Sequence, residues 1–251
     1  MVGSFAVTTK GEAWTLGIRN FLMCQFVASQ YANSSIISIN PFYFFHFRHP
    51  AFQVSTSRGH VHMLAFDPVL WSYSLPHRTQ IIYPPDASLI VGGLDLLPGK
   101  CVMEAGTGSG SLTHFLAQAI WPTGRVRSFE FHLGRVGRAI EEFQSHELSN
   151  VVSVTHRDVC ADGFPPLDGV DAVSLDLPQP WLVIPSLPSV FRTDYGRVCS
   201  FSPCIEQVQR TALALKKAGF VHIQTMECLQ RNYDVVRAVM NVPNLGRLHF
   251  E

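Results

Sequence analysis

Short apolar runs alternate with amphipathic stretches along the chain from residue 101 onward. Apolar runs of about four to eight residues predict buried strands, whereas apolar positions spaced three and four apart predict helices. The predicted strands cover residues 101–104, 125–131, 151–157, 170–177, 197–202 and 220–229. The predicted helices cover residues 111–121, 133–146 and 205–218, with Gly219 after the last. Strands separated by helices predict an α/β fold with a mostly parallel sheet and helices on both faces.

Before residue 101 the pattern is less regular. Residues 59–64 alternate as in a strand, and Asp86 is expected to cap a helix that runs to residue 97. Residues 16–29 predict a short helix, and residues 36–47 predict a strand broken at Pro41. We therefore expect a divergent N-terminal segment, residues 1–57, followed by one large domain, residues 58–251. Residues 181–191 predict a helix interrupted by prolines.

Composition narrows the class of protein. The 251 residues are 47% hydrophobic, which is enough to bury a full core. Lys plus Arg equals Asp plus Glu at 19 each, so binding of nucleic acid would require local basic patches or a partner. The apolar run at residues 36–47 is too short to span a bilayer, so no membrane is expected. The cysteines include no C-x-x-C pair, and no third ligand joins His60 and His62, so no metal is expected.

The stretch from Glu104 to Ser111 carries the first chemical signal. It reads E-x-G-x-G-x-G, with glycines at 106, 108 and 110, between a predicted strand and a predicted helix. Such a turn cradles nucleotides, because ligands approach the backbone closely at a helix N-terminus. Ser111 stands where the dinucleotide fingerprint has its third glycine, so Glu104, Gly106, Gly108 and Gly110 favour S-adenosylmethionine as the cofactor. A turn with only a structural role remains the alternative.

Four acidic residues end successive predicted strands: Glu104, Glu130, Asp158 and Asp176. One such acid is often a helix cap, but four in succession favour a ligand site at the carboxyl edge of the sheet. Glu130 lies some twenty residues beyond the turn, a spacing suited to ribose hydroxyls. Asp158 with Val159 would border the adenine, and Asp176 would face the reacting group.

Three stretches resemble the catalytic subunit of the eukaryotic tRNA adenine-58 N1-methyltransferase. They read LPHRTQIIY at 75–83, EAGTGSGSLTH at 104–114 with FEFH at 129–132, and SFSPCIEQVQRT at 200–211. DLPQPW at 176–181 is similar to the D-x-P-x-P-W site motif of that family. The resemblance covers residues 56–235, and the small N-terminal β-barrel motif of the family is not found in residues 1–50.

The resemblance implies a Rossmann-like class I S-adenosylmethionine-dependent methyltransferase fold. It also implies a tRNA substrate, a homologous non-catalytic tRNA-binding subunit in a heterotetramer, and a nuclear location. The cofactor contacts that it implies are Ile82, Ser109, Gly110, Ser111, Glu130, Arg135, Asp158, Val159 and Asp176.

The chemistry of adenine indicates further candidates. Its N1 carries a lone pair and no proton, so catalysis needs positioning and negative potential rather than a general base. Asp176 is the candidate that accepts a hydrogen bond from the exocyclic amino group. Tyr83 and Trp181 are candidate stacking platforms or, alternatively, core residues. Gln80 and His77 either bind the base or hold their loop.

Two other functions share these residues. Methylation of a protein or small molecule would use the same cofactor site and differ only in what residues 75–83 and 176–181 receive. A non-catalytic RNA-binding subunit that kept the fold is the other alternative. The presence of Glu130, Asp158 and Asp176 argues against it, because an empty pocket has no use for carboxylates.

Overall fold

The computed structural model describes residues 5–8, 51–56, 59–64, 67–165, 169–192, 196–229, 231 and 233. The strands are β1 Phe5–Thr8, β2 Ala51–Thr56, β3 Gly59–Leu64, β4 Cys101–Ala105, β5 Arg125–Glu130, β6 Val152–His156, β7 Ala172–Leu175 and β8 Arg197–Ser200. The α-helices are α1 Pro68–Ser74, α2 Pro84–Gly93, α3 Ser111–Ile120, α4 Leu133–Ser145, α5 Val159–Asp162 and α6 Ile205–Lys217. Two 3₁₀ helices cover Pro180–Leu182 and Ile184–Ser189.

The main sheet has five parallel strands in the order β6-β5-β4-β7-β8. Every residue of β4 and β7 is buried, because both faces of the sheet are covered. Val102 packs into one core cluster, whereas its neighbours Cys101 and Met103 pack into another on the opposite face. The predicted α/β fold with a parallel sheet is confirmed.

The strand order reverses at β4, which has β5 on one side and β7 on the other. In such sheets the crevice between diverging crossovers opens at the carboxyl ends of the central strands. Ala105, at the end of β4, is paired with Phe129 of β5 and Leu175 of β7. Glu130 and Asp176 follow these partners directly, so the topology places both at the crevice.

A smaller antiparallel sheet has the order β1-β3-β2. The predicted strand at residues 59–64 is β3, and it pairs with β2 along its whole length. The domain boundary that we expect between residues 57 and 58 falls between these two paired strands and stays a prediction. The helix and strand expected at residues 16–29 and 36–47 lie outside the described residues.

Three expectations about elements are wrong. Residues 220–229 form no strand, and Val221 and Leu229 are 77% and 75% exposed. The helix expected to start at Asp86 is α2, which starts at Pro84 and ends at Gly93. Residues 181–191 contain 3₁₀ turns rather than an α-helix, because prolines there supply no backbone N–H for the helical ladder. Among the described helices, none has the length and apolar content needed to cross a bilayer.

Candidate functional site

The glycine turn connects β4 to α3, as the sequence predicts. Gly106, Gly108 and Gly110 have φ of +99°, +54° and +76°, a region that side chains disfavour. A Cβ at Gly106 would overlap the Asp176 carbonyl oxygen, and one at Gly108 would lie 2.7 Å from Thr79 Oγ1. The first two glycines are therefore already required by packing within the chain. We expected these glycines to be needed for the close approach of a ligand. Contacts within the chain already explain Gly106 and Gly108 without one.

Glu130 is a buried carboxylate at the end of β5, with 3% of its surface exposed. Oε2 accepts a hydrogen bond from the Gly108 N–H at 2.9 Å. Oε1 accepts from the His132 N–H at 2.9 Å and from Arg135 Nε at 3.0 Å, and Arg135 Nη2 lies 2.8 Å away. The structure thus brings Glu130, Arg135 and the glycine turn together. Arg135 holds Glu130 rather than pointing away into solvent.

Glu104 lies beneath the turn rather than on its surface, with 1% of its area exposed. Oε2 accepts hydrogen bonds from Thr113 Oγ1 at 2.7 Å and Ser128 Oγ at 2.6 Å. Burial raises the pKa of Glu104 to about 7, although the two hydroxyls favour its charged form. The negative charges of Asp176 and Glu130 contribute to this increase. The sequence did not point to Thr113 or Ser128 as partners of Glu104, although Thr113 lies within the stretch at 104–114.

Asp176 follows β7 and lies against the glycine turn. Its backbone N–H donates to the Ala105 carbonyl at 2.9 Å, and its own carbonyl contacts Gly106. Burial, with a smaller contribution from the Glu130 carboxylate, raises the pKa of Asp176 to about 6. The following 3₁₀ helix has Gln179 at its N-cap and no side-chain cap bond. Asp176 is therefore not the cap of that helix.

Asp158 caps α5 in this structure. Its Oδ1 accepts from the Cys160 N–H at 2.9 Å and the Ala161 N–H at 3.2 Å. Val159, the first residue of α5, is buried with 4% exposed, in the same cluster as Phe129 of β5. This capping accounts for Asp158 structurally, while its second carboxylate oxygen and the adjacent backbone remain at the carboxyl edge of the sheet.

The loop between α1 and α2 docks onto the glycine turn through Ser109. Ser109 Oγ accepts from the backbone N–H groups of Arg78 at 3.0 Å and Thr79 at 3.1 Å. Arg78 Nη2 donates to the Ser109 carbonyl at 3.1 Å, and Arg78 Nη1 lies 2.6 Å from Glu142 Oε2 on α4. The contact between Arg78 and Glu142 is not predictable from the sequence, because no pattern links two residues that are 64 positions apart.

Further along the same loop, Ser111 Oγ donates to the Ile82 carbonyl at 2.9 Å, so Ile82 is fixed at the start of α3. Tyr83 is 38% exposed, and its ring centre lies 6.2 Å from that of Tyr73. Gln80 is exposed. The loop thus presents Gln80 and Tyr83 at the surface while its Ser109 and Ser111 anchors are buried.

A buried histidine pair supports the turn from below. His114 Nδ1 lies 2.6 Å from the Gly110 carbonyl oxygen, and His114 Nε2 lies 2.9 Å from His146 Nδ1. Burial lowers the pKa of His114 to about 3 and that of His146 to about 4. Both rings are therefore neutral at physiological pH. In the part of the chain that the structure describes, no group of three or more His, Cys, Asp or Glu is arranged to hold a metal ion.

The acidic residues define what ligand the crevice fits. Asp176 and Glu130 lie close enough to Glu104 to raise its pKa, and Glu130 lies close enough to Asp176 to raise the pKa of Asp176. Such a cluster is stabilised by a ligand that brings positive charge. S-adenosylmethionine carries an ammonium and a sulfonium, and its ribose hydroxyls can donate to carboxylates. The residues present therefore fit this cofactor.

Comparison with known proteins identifies the family. Residues 59–251 match the family described as the tRNA methyltransferase complex GCD14 subunit. The chain belongs to this family.

GCD14-family relatives include the tRNA (adenine(58)-N(1))-methyltransferase catalytic subunits of Cryptococcus neoformans and Candida albicans. The first is 47% identical over 191 residues, 76% of this chain and 44% of the relative. The second is 46% identical over 190 residues, 72% of this chain and 56% of the relative. The chain spans about half the length of these relatives.

Solved structures agree on the fold. A SAM-dependent O-methyltransferase from Thermotoga maritima is 31% identical, with a TM-score of 0.67 over 74% of this chain and 69% of that one. The tRNA (m1A58) methyltransferase TrmI from Aquifex aeolicus is 22% identical, with a TM-score of 0.63 over 75% of this chain and 81% of that one. The GCD14-family chain thus has the Rossmann-like class I methyltransferase fold that its sequence predicts.

Proposed function

We propose that this chain transfers a methyl group from S-adenosylmethionine to N1 of adenine 58 in the T-loop of tRNA. The proposal rests mainly on the position of Asp176, the acid of the DLPQPW stretch. It lies at the end of β7, against Gly106 of the turn, with its pKa raised to about 6. Membership of the GCD14 family supports the choice of tRNA over a protein or small molecule.

Residues on both sides of the crevice would hold the cofactor. Glu130 retains acceptor capacity beside its bonds to Gly108 and Arg135, which suits ribose hydroxyls. The turn from Gly106 to Ser111 would line the amino-acid portion, and Asp158 with Val159 would border the adenine. Ile82, Ser109 and Ser111 would act mainly by holding the turn and the loop together, because both hydroxyls already bond to that loop.

When bound, S-adenosylmethionine supplies an electrophilic methyl group. The chain needs to remove no proton from adenine N1, since that atom is already a lone-pair donor. Asp176 would accept a hydrogen bond from the exocyclic amino group and place negative charge beside the base as positive charge develops there. Tyr83 would stack on the splayed base, and Gln80 would fix its orientation from the same loop.

The assembly that we propose follows the same family. The chain would act as the catalytic subunit beside a homologous non-catalytic tRNA-binding subunit, as a heterotetramer in the nucleus. Its formal net charge of zero supports a need for basic surface from elsewhere, because phosphate contacts dominate affinity for RNA. Filter retention should therefore detect only weak binding of tRNA by the isolated chain. Tight, salt-sensitive binding would contradict the dependence on a partner.

Mass spectrometry of tRNA nucleosides tests the activity directly. Unmodified tRNA is incubated with S-adenosylmethionine and the chain, with and without a candidate partner subunit, and then digested. We expect N1-methyladenosine that maps to position 58, and none from tRNA in which that adenine is replaced by guanine. Methylation of another nucleotide, or none in the presence of a partner that binds the chain, would overturn the proposal.

A further inference from the structure

A groove of about 670 Å³ lies between the 3₁₀ helices and α6, outside the crevice described above. Its walls include Trp181, Pro185 and Pro188 on one side and Arg210, Leu213 and Lys217 on the other. This volume lies in the range of sites that bind small organic groups. The groove is therefore large enough to receive the base of a nucleotide.

The groove combines an aromatic ring with positive charge. The Arg210 guanidinium carbon lies 5.2 Å from the centre of the Trp181 ring, in cation–π contact. Lys217 adds a second cation, and none of the described residues that line the walls carries a carboxylate. Among the described residues, no salt bridge engages Arg210 or Lys217. An occupant that supplies negative charge is therefore favoured over a purely apolar one.

The groove is connected to the candidate catalytic acid. Gln207 Nε2 donates to the Pro178 carbonyl at 3.0 Å, which ties α6 to the loop directly after Asp176. Arg210 and Lys217 are seven residues apart, two turns along α6, so both lie on one side of the helix. At 1.5 Å per residue, Lys217 lies about 15 Å along the helix from Gln207. The cations thus mark a path that leads away from Asp176.

We propose that this groove binds the single-stranded RNA that flanks the methylated base. A neighbouring nucleobase stacks on the Trp181–Arg210 pair, and phosphates contact Arg210 and Lys217. Aromatic rings and guanidinium planes bind unpaired bases by stacking, and Arg also pairs bidentately with phosphate. This inference rests on the proposed function, because it assumes that a target base lies at Asp176. It adds the route that the RNA strand takes from that site.

Fluorescence anisotropy with a labelled T-arm stem-loop RNA tests the groove in the full chain. Measurements begin at about 20 mM salt, where weak phosphate-driven binding is strongest. We expect Arg210→Gln and Lys217→Gln each to weaken binding about fivefold and to reduce the salt slope by roughly 0.7, the loss of one phosphate contact. Arg138→Gln, an exposed arginine on α4, is the matched control and should bind as wild type. Unchanged affinity and slope in both groove variants would overturn the proposal.

Tryptophan emission gives a second, local readout. RNA that stacks at Trp181 should change the emission of the wild-type chain, and Trp181→Phe should remove that change while still folding by circular dichroism. An emission change that persists in Trp181→Phe would overturn stacking at this residue. A groove variant that keeps its RNA affinity but loses a partner subunit would instead assign the groove to protein contact and overturn the proposal.

The two proposals fail separately. If RNA affinity depends on Arg210 and Lys217 but no tRNA is methylated, the groove stands and the proposed reaction is wrong. If adenine 58 is methylated at wild-type rate and affinity by the double Arg210→Gln, Lys217→Gln variant, the reaction stands and the groove proposal is wrong.

Discussion

Arg78 Nη1 lies 2.6 Å from Glu142 Oε2, and both side chains are about nine-tenths buried. This ion pair joins the loop that presents Gln80 and Tyr83 to α4, 64 residues further along the chain. Arg78 also donates to the Ser109 carbonyl, so one side chain links the loop, the glycine turn and a helix. The candidate base-binding loop and the candidate cofactor turn are therefore one packed unit.

Removal of one partner should destabilise this unit strongly. We expect Arg78→Met to lower the free energy of unfolding by about 3 kcal/mol, because it leaves the Glu142 carboxylate buried without its cation. The double variant Arg78→Met, Glu142→Gln should lose less than the sum of the two single changes. Urea unfolding followed by circular dichroism measures all four proteins. Additive losses would show that the two side chains do not stabilise each other.

Ser109 should serve the loop more than the cofactor. Its hydroxyl already accepts two backbone N–H bonds from Arg78 and Thr79. We expect Ser109→Ala to reduce kcat/KM for tRNA about tenfold, since two partly buried backbone donors lose their acceptor. Affinity for S-adenosylmethionine, measured by calorimetry, should stay within about twofold. Ser145→Ala, which changes an exposed serine on α4, is the control. A loss in Ser109→Ala that is confined to cofactor affinity would show that the Ser109 hydroxyl binds the cofactor instead.

Parts of the site with a local pattern were predictable from sequence. The strand, turn and helix around Gly106 follow from apolar runs and alternate glycines, and Glu130 and Asp176 are found by their position at strand ends. The Arg78–Glu142 contact depends on tertiary packing and leaves no periodic trace. The strand expected at residues 220–229 is the opposite case, in which a local pattern misleads. Apolar alternation indicates a strand, but it does not supply the neighbouring strand with which it would pair. Asp158 is an acid at a strand end whose Oδ1 already serves as a helix cap, so its position alone does not indicate a ligand.

Glu130 should determine affinity for the cofactor. We expect Glu130→Ala to weaken binding of S-adenosylmethionine by about 1 to 3 kcal/mol, the range for a lost hydrogen bond to a charged acceptor. Isothermal calorimetry measures the change. Glu141→Ala on the exposed side of α4 is the matched control. Wild-type affinity in Glu130→Ala would remove this carboxylate from the site.

Asp176 should determine turnover. We expect Asp176→Ala to cut the rate of tRNA methylation about a hundredfold, in line with loss of one preorganised electrostatic contact. Because burial raises the pKa of Asp176 to about 6, the wild-type rate should rise with pH through about 6 as the carboxylate ionises. Asp176→Asn should lack this rise. A folded Asp176→Ala variant with near wild-type turnover would show that another residue carries the role.

Glu104 should make stability fall as pH rises. Its pKa is raised from 4.5 to about 7, so between these values the folded state binds a proton that the unfolded state has released. The contribution of Glu104 to the free energy of unfolding is therefore fully present below about pH 4.5. It falls by up to about 3 kcal/mol as the pH rises to 7. Glu104→Gln should flatten this dependence in urea unfolding measured across that range. An identical pH dependence in wild type and Glu104→Gln would contradict the assignment.

The contact between His114 and the Gly110 carbonyl fixes where protons lie beneath the turn. Because a carbonyl only accepts, His114 Nδ1 carries the hydrogen, and the lowered pKa leaves Nε2 as a lone-pair acceptor. His146 Nδ1 must then donate to it, and because the His146 ring is neutral, its own Nε2 carries no hydrogen. The two hydrogen bonds therefore run in one direction: His146 Nδ1 donates to His114 Nε2, and His114 Nδ1 donates to the Gly110 carbonyl. Nitrogen-15 spectra of the imidazoles should show a single tautomer for each ring, and exchange between tautomers would mean that the turn samples a second geometry.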